Sequence, residues 1–319
     1  MKNKGILTFL IVLTFVIMGV VVLDYLSERP DRQQANPYAL PLDTLTAVDP
    51  SMILYKEVRN LKLEMEMPSG LSILGEKLLV VGDKKLIICN LSGELIKEIP
   101  LQTEPLCVKA TADRCYIGSA KQVTVLDPGG KLISNWDAFY ENSVLTSIDV
   151  YDKKVFIADA GKRVVYRFSD SGEKELEFEG KVGEGDKHGF IIPSPNFDLA
   201  IDLSGDFWVA NPGKHALENY TFDGNLRGWW DAMTCDIKGF SGCCNPANFT
   251  FLPDGNFITS EKGIVRIKEY KPSGEFVGVV AAPSKFEGEQ HAPDVVADNL
   301  GRIYALDKER KMIRVFEKK

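Results

Sequence analysis

Six copies of one four-strand unit, a last copy that lacks its outer strand, and an uncharged run of 19 residues near the start together predict the fold class. It is all-β: a six-bladed β-propeller preceded by one N-terminal transmembrane helix. With 319 residues, 45% apolar and 26% charged, the chain has the composition of a globular protein with a sizeable core.

The uncharged run is GILTFLIVLTFVIMGVVVL, residues 5–23. At about 1.5 Å per residue it crosses a hydrocarbon core of roughly 30 Å. A cleaved signal peptide is the competing reading, but the run exceeds a usual signal core and no small-x-small cleavage site follows it. We therefore expect an uncleaved membrane anchor over residues 1–23. No cysteine follows closely enough for lipid-anchored maturation. Lys2 and Lys4 precede the run while Asp24 and Glu28 follow it, so the positive-inside bias keeps the N-terminus in the cytoplasm. The expected location is the inner (cytoplasmic) membrane, single-pass, with the C-terminal domain in the periplasm or outside. Residues 24–50 carry four prolines and little apolar periodicity, which suits a semi-rigid tether. Without Lys2 and Lys4 the net charge of −7 becomes −9, so nucleic acid and anionic lipid surfaces are poor partners for the outer part.

From residue 51 to 319 one grammar repeats. The second strand of each unit and its exit read LLVVGD, CYIGS, VFIAD, FWVAN, FITS and IYALD. Their last residues, Asp83, Ser119, Asp159, Asn211, Ser260 and Asp307, are 36, 40, 52, 49 and 47 positions apart. The third strand alternates and closes on LSGE, PGGK, DSGE, FDGN or PSGE, turns that supply glycine where positive φ is required. A β-sandwich would need no such six-fold repetition. The sixth copy stops after three strands, and a ring cannot close on an unpaired edge. The segment 53–64, ILYKEVRNLKLE, is otherwise unassigned and is expected to complete the last blade.

The stretches VFIADAGKRVVYRFSDSG and FWVANPGKHALENYTFDG resemble NHL repeats, with Lys162 where asparagine is common. The resemblance spans roughly residues 69–316, and it implies a six-bladed propeller without implying a reaction. The tract that includes GFSGCCNPANF further resembles a bacterial, membrane-anchored NHL subgroup with a GCCNP motif, to which no defined activity attaches.

In such a ring the short turns lie on one face and the long connections, 178–196, 229–247 and 280–292, on the other. Long loops on a rigid scaffold are where binding usually sits. All three histidines, His188, His215 and His291, map to the long-loop face, as do Cys235, Cys243 and Cys244. Candidate residues of a ligand or partner face are therefore His188, Asn196, Asn211, His215, Glu261 and His291. For the cysteines three readings stay open: a disulfide from Cys235 to Cys243 or Cys244, a vicinal Cys243–Cys244 disulfide, and a soft-metal thiolate site. Cys107 and Cys115 flank a hairpin turn and are candidates to face each other. No nucleophile–base motif such as G-x-S-x-G or H-E-x-x-H occurs.

The expected role is a ligand- or protein-binding scaffold working through the long-loop face, without a resident cofactor. Its partners are the membrane through residues 5–23 and a protein or small molecule on the propeller. The alternative is a metal- or redox-dependent propeller enzyme on the same face. Resemblance to an amidating lyase would then imply a histidine-bound metal. Resemblance to lactonase-like propellers would imply calcium held by Asn196, Asn211, Asn245 and Glu261. Whether the chain is an enzyme is left open by the sequence.

Overall fold

A computed structural model describes residues 3–26, 45–181, 189–288 and 291–319. Two compact units divide the chain, residues 1–42 and 43–319. In the first, α1 (Asn3–Leu26) is a single helix long and apolar enough to cross a membrane, a property that a signal sequence shares. The sequence accounts for it, since β-branched and leucine side chains leave no polar stripe.

Among the described residues, the second unit comprises 24 strands in six antiparallel sheets of four. The outer strand of one sheet comes first in the chain, β1 (Tyr55–Lys62). Blade one is β2 (Pro68–Leu74), β3 (Lys77–Gly82), β4 (Lys85–Asn90) and β5 (Leu95–Pro100). Blade two is β6 (Pro105–Ala110), β7 (Cys115–Ser119), β8 (Val123–Leu126) and β9 (Leu132–Trp136). Blade three is β10 (Leu145–Tyr151), β11 (Lys154–Asp159), β12 (Val164–Ser169) and β13 (Lys174–Phe178). Blade four is β14 (Leu199–Ile201), β15 (Phe207–Asn211), β16 (Ala216–Tyr220) and β17 (Leu226–Asp231). Blade five is β18 (Asn248–Phe251), β19 (Phe257–Glu261), β20 (Arg266–Tyr270) and β21 (Phe276–Ala281). Blade six is β22 (Asp294–Ala297), β23 (Ile303–Asp307) and β24 (Met312–Lys318), with β1 as its fourth strand.

β1 pairs with β24 from Tyr55↔Lys318 to Lys62↔Met312, so the two ends of the domain share one sheet. Arg314 reinforces this joint. It donates to Glu57 of β1 at 2.6 Å and to Asp307 at 2.9 Å. Between neighbouring blades lie six apolar clusters, one per junction. They are rich in rings where blades two to five meet, as in Trp136 stacked on Phe168 and Trp230 on Phe240. Gly172, at φ 90°, shows why the third-strand turns need glycine, since a Cβ there would also come within 2.4 Å of Trp136.

The residues ending the second strand of each blade fasten the loops around them. Asp83 accepts from the backbone N–H groups of Glu66 and Met67, Asp159 from those of Val144 and Lys162, and Asn211 from that of Ile191. Ser119 and Ser260 donate to the carbonyls of Gln122 and Pro293. The repeat's marker positions therefore serve as loop ties. Buried loop backbone needs such partners.

Candidate functional site

The innermost strands β2, β6, β10, β14, β18 and β22 surround a cavity of about 400 Å³. That size suits a small molecule. Side chains on these strands also stitch neighbouring blades together. Ser72 accepts from Ala110 N–H, Asp149 from Ile201 N–H, Asp198 from Phe249 N–H and Asp294 from Leu71 N–H. Asn248 donates to Pro293 C=O. Asp198, Asn248 and Asp294 each stand four residues before the start of a first-to-second-strand turn, which begins at Asp202, Leu252 and Asp298.

These ties leave ionisable groups facing the cavity. Lys109 pairs with Asp149 at 2.6 Å, and Asp198, Asp202, Asp294, Asp298 and Lys308 also line the cavity. Burial, helped by the charge of Asp294, pushes the Asp198 carboxyl up to about 7 against hydrogen bonds from Ser147, Phe249 and Leu199. Burial also raises Asp294, while Lys308 and the Leu71 and Val295 N–H groups oppose it. Lys308 is lowered by burial, with Asp294 pulling it back. Asp198 is therefore the cavity carboxyl placed to change charge near neutral pH. Burial also raises the Cys107 thiol, whose sulfur lies 3.5 Å from Leu145 C=O.

The connection from β17 to β18, residues 232–247, contributes none of the residues that line the cavity. Against it lies a buried charged cluster in which Glu261 meets Arg266 at 2.9 Å and Lys268 at 2.7 Å, all three side chains fully buried. Arg266 and Lys268 also donate to Gly239 C=O, Tyr270 donates to Lys238 C=O, and Ser241 N–H donates to Glu261. Further along, Asn245 is buried and donates to the carbonyls of Ser241 and Lys262 while accepting from Lys262 N–H. Its peptide bond to Pro246 is cis. His215, at φ 54°, brings its Nδ1 to 3.1 Å from Asn245 C=O. Cys243 and Cys244 therefore stand on a clamped loop beside His215, with their sulfurs 3.1 Å apart. Cys243 is exposed and Cys244 is buried.

Several sequence-based expectations are redrawn by this geometry. Asn211 and Glu261 are fully buried and are not ligand-facing: Asn211 holds Ile191 N–H and donates to Glu218, and Glu261 neutralises two cations. With Asn245 spent on the same connection, the calcium set reduces to Asn196, which lines the cavity and donates to Ser194 at 3.1 Å. His291 is exposed and meets Glu309 at 2.7 Å. His188 lies outside the described residues. Among the described residues no three histidine, cysteine or carboxylate side chains are arranged to hold a metal ion. Cys235 is an exposed free thiol and pairs with neither Cys243 nor Cys244. Cys107 and Cys115 do not face each other either. Cys107 sits opposite Gly118 and Cys115 opposite Ala110, and they pack into different clusters. Strand alternation turns the two side chains apart, because Ala110, the residue opposite Cys115, stands an odd number of positions after Cys107 and so faces the other side of the sheet.

The sequence reading missed Lys109, Asp149, Asp198, Asp294 and Lys308. A signal for two of them was present, since NFDLAIDLSG and PDVVADNLG place an acid at the same slot of two repeats.

A six-bladed β-propeller with a charged central cavity is the class that fold and site define. No family model matches the chain, and no curated protein matches it in sequence. Among solved structures it is similar to a streptogramin B lyase, at 11% identity and a TM-score of 0.60 over 83% of this chain and 98% of that one. It is also similar to a protein of unknown function from Bacteroides thetaiotaomicron, at 15% identity and a TM-score of 0.59 over 82% and 71%. A third is the WD40 propeller domain of Doa1, at 15% identity and a TM-score of 0.57 over 79% of each chain. At such identities the likeness is one of fold.

Proposed function

We propose that this chain is a membrane-anchored binding propeller built of NHL-type repeats, which seats a small polar ligand in the mouth of its central cavity on the long-loop face. One observation carries the reading: a cavity of about 400 Å³ lined by Lys109, Asp149, Asp198, Asp294 and Lys308. Groups of both signs, partly withdrawn from water, recognise a ligand that carries complementary charge and hydrogen-bonding groups. The long connections around the opening would set which ligand enters. Residues 5–23 supply the anchor, and the lysines before them favour a domain outside the cytoplasm.

The test is a thermal-shift screen of the full chain in detergent against small amines, carboxylates and amino acids, repeated with Lys308→Met and Asp198→Asn. The expected result is stabilisation by one chemical class that either substitution abolishes. Stabilisation that survives both, or that disappears only when residues 229–235 are changed to alanine, would move the site away from the cavity.

A further inference from the structure

The adjacent cysteines Cys243 and Cys244 form an asymmetric pair. Cys243 is exposed on a loop whose backbone is held by Asn245 and His215, and Cys244 lies beneath it, 5% exposed, at 3.1 Å sulfur to sulfur. That is closer than two sulfur atoms rest without a hydrogen bond or an incipient bond between them. We propose that Cys243 and Cys244 are a thiol–disulfide exchange site, in which Cys243 attacks a disulfide presented to this loop and Cys244 resolves the product.

The step balances as follows. Cys243 gives its proton to water, and its thiolate attacks one sulfur of an external disulfide R–S–S–R. The first R–S⁻ leaves and takes up a proton from water. Cys244 in turn gives its proton to water, its thiolate attacks Cys243 Sγ in the mixed disulfide, and the second R–S⁻ leaves and takes up a proton to become R–SH. Two cysteine thiols and one disulfide become one Cys243–Cys244 disulfide and two R–SH, so the chain is oxidised by two electrons and the external disulfide is reduced.

The environment fits the two roles. Burial pushes Cys244 up, but hydrogen bonds from Ser194 and Cys243 and the charge of Lys262 outweigh it, leaving the thiol below its ordinary value. Cys243 is raised because its S–H is held by Cys244. The exposed sulfur is therefore the accessible one and the buried sulfur the better-prepared thiolate, a division that suits attack and resolution. Asn245, with three hydrogen bonds to the loop and to Lys262, keeps the pair in place.

The experiment uses the full chain in detergent, with exposed Cys235 changed to serine, fully reduced and then exposed to glutathione disulfide. Intact and peptide mass spectrometry follow the products. We expect an internal disulfide in the peptide containing residues 243 and 244, with no retained glutathione. In Cys244→Ser, one glutathione stays on Cys243. In Cys243→Ser, adduct formation at Cys244 slows by at least about tenfold, the access penalty of a buried thiol. Ser194→Ala leaves the first attack unchanged and prolongs the mixed disulfide, which a purely structural serine would not do. A persistent glutathione adduct in the chain that retains both cysteines would overturn the proposal, independently of how any variant folds. So would equal reactivity of Cys244 without Cys243, or no reaction at all.

Discussion

The charged cluster under the 232–247 connection and the charged lining of the central cavity hold similar residues in opposite circumstances. Glu261, Arg266 and Lys268 are fully buried, and their hydrogen bonds go to one another and to the carbonyls of the loop they hold. Asp149, Asp198, Asp294 and Lys109 also stitch blades together, yet with Lys308 they border a space that admits a molecule. Room beside a charge, more than the charge itself, distinguishes a site from a fastening. The same contrast explains why Glu261, a candidate ligand in the sequence, acts as mortar.

The largest effect expected from breaking this comparison comes from Glu261→Ala. It strands Arg266 and Lys268 in a dry pocket, so urea unfolding should show a loss of about 3–5 kcal/mol. The variant should also expose the 232–247 connection to limited proteolysis. A loss below about 1 kcal/mol would mean that water reaches the cluster.

Asp198→Asn comes next. Replacing a carboxylate that accepts from two backbone N–H groups by an amide leaves one N–H facing an NH₂, at a cost of about 1–3 kcal/mol above neutrality. The pH dependence carries the sharper signal. Asp198 is raised from 3.8 to about 7 in the fold, so the folded state binds the extra proton between those values. Its contribution to stability is complete below pH 3.8 and lost as pH rises through 7. The melting temperature of the unaltered chain should therefore fall over that window more steeply than that of Asp198→Asn. Parallel pH profiles for the two chains would rule out Asp198 as the cavity's neutral-range proton site.

Lys308→Met should change stability by no more than about 1–2 kcal/mol, because it removes one group from a bordered space and leaves no buried network behind. It deletes the opposite charge that holds Asp294 down. The carboxyl titration of Asp294, followed by carbon NMR, should then move to higher pH. A downward move would place Lys308 out of reach of Asp294.

The smallest effect belongs to Cys235→Ser, an exposed thiol without a bonding partner among the other cysteines. Its stability change should stay within about 0.5 kcal/mol. A larger loss under oxidising conditions would reveal a disulfide involving Cys235.

How much of this was legible beforehand can be argued from particular residues. Repetition exposed the ring, because every blade must solve the same problem of turning, capping and pairing, and solves it with the same residue types. Asp83, Asp159 and Asp307 marked strand exits because an acid there satisfies backbone N–H groups. Glycine in LSGE, DSGE and PSGE marked turns that need φ of 91°, 90° and 83°. A last blade short of one strand pointed to 53–64, and β1 occupies Tyr55–Lys62. The apolar run of residues 5–23 likewise required only length and charge to be read.

The candidate site was far less legible. Asp198 and Asp294 are about a hundred residues apart in the chain, and only closure of the ring sets their charges against each other in one cavity. Glu261 and Asn211 looked as available as Asn196 until packing buried them. The register of β6 and β7 turned Cys107 away from Cys115, although their separation in sequence suited a bridge. The division has a physical cause. Turns, caps and strand alternation are local, set by each residue's own backbone and near neighbours, and so they are written in the sequence. Burial, proton affinity and the meeting of distant side chains depend on where the whole ring excludes water, and only the tertiary structure decides that.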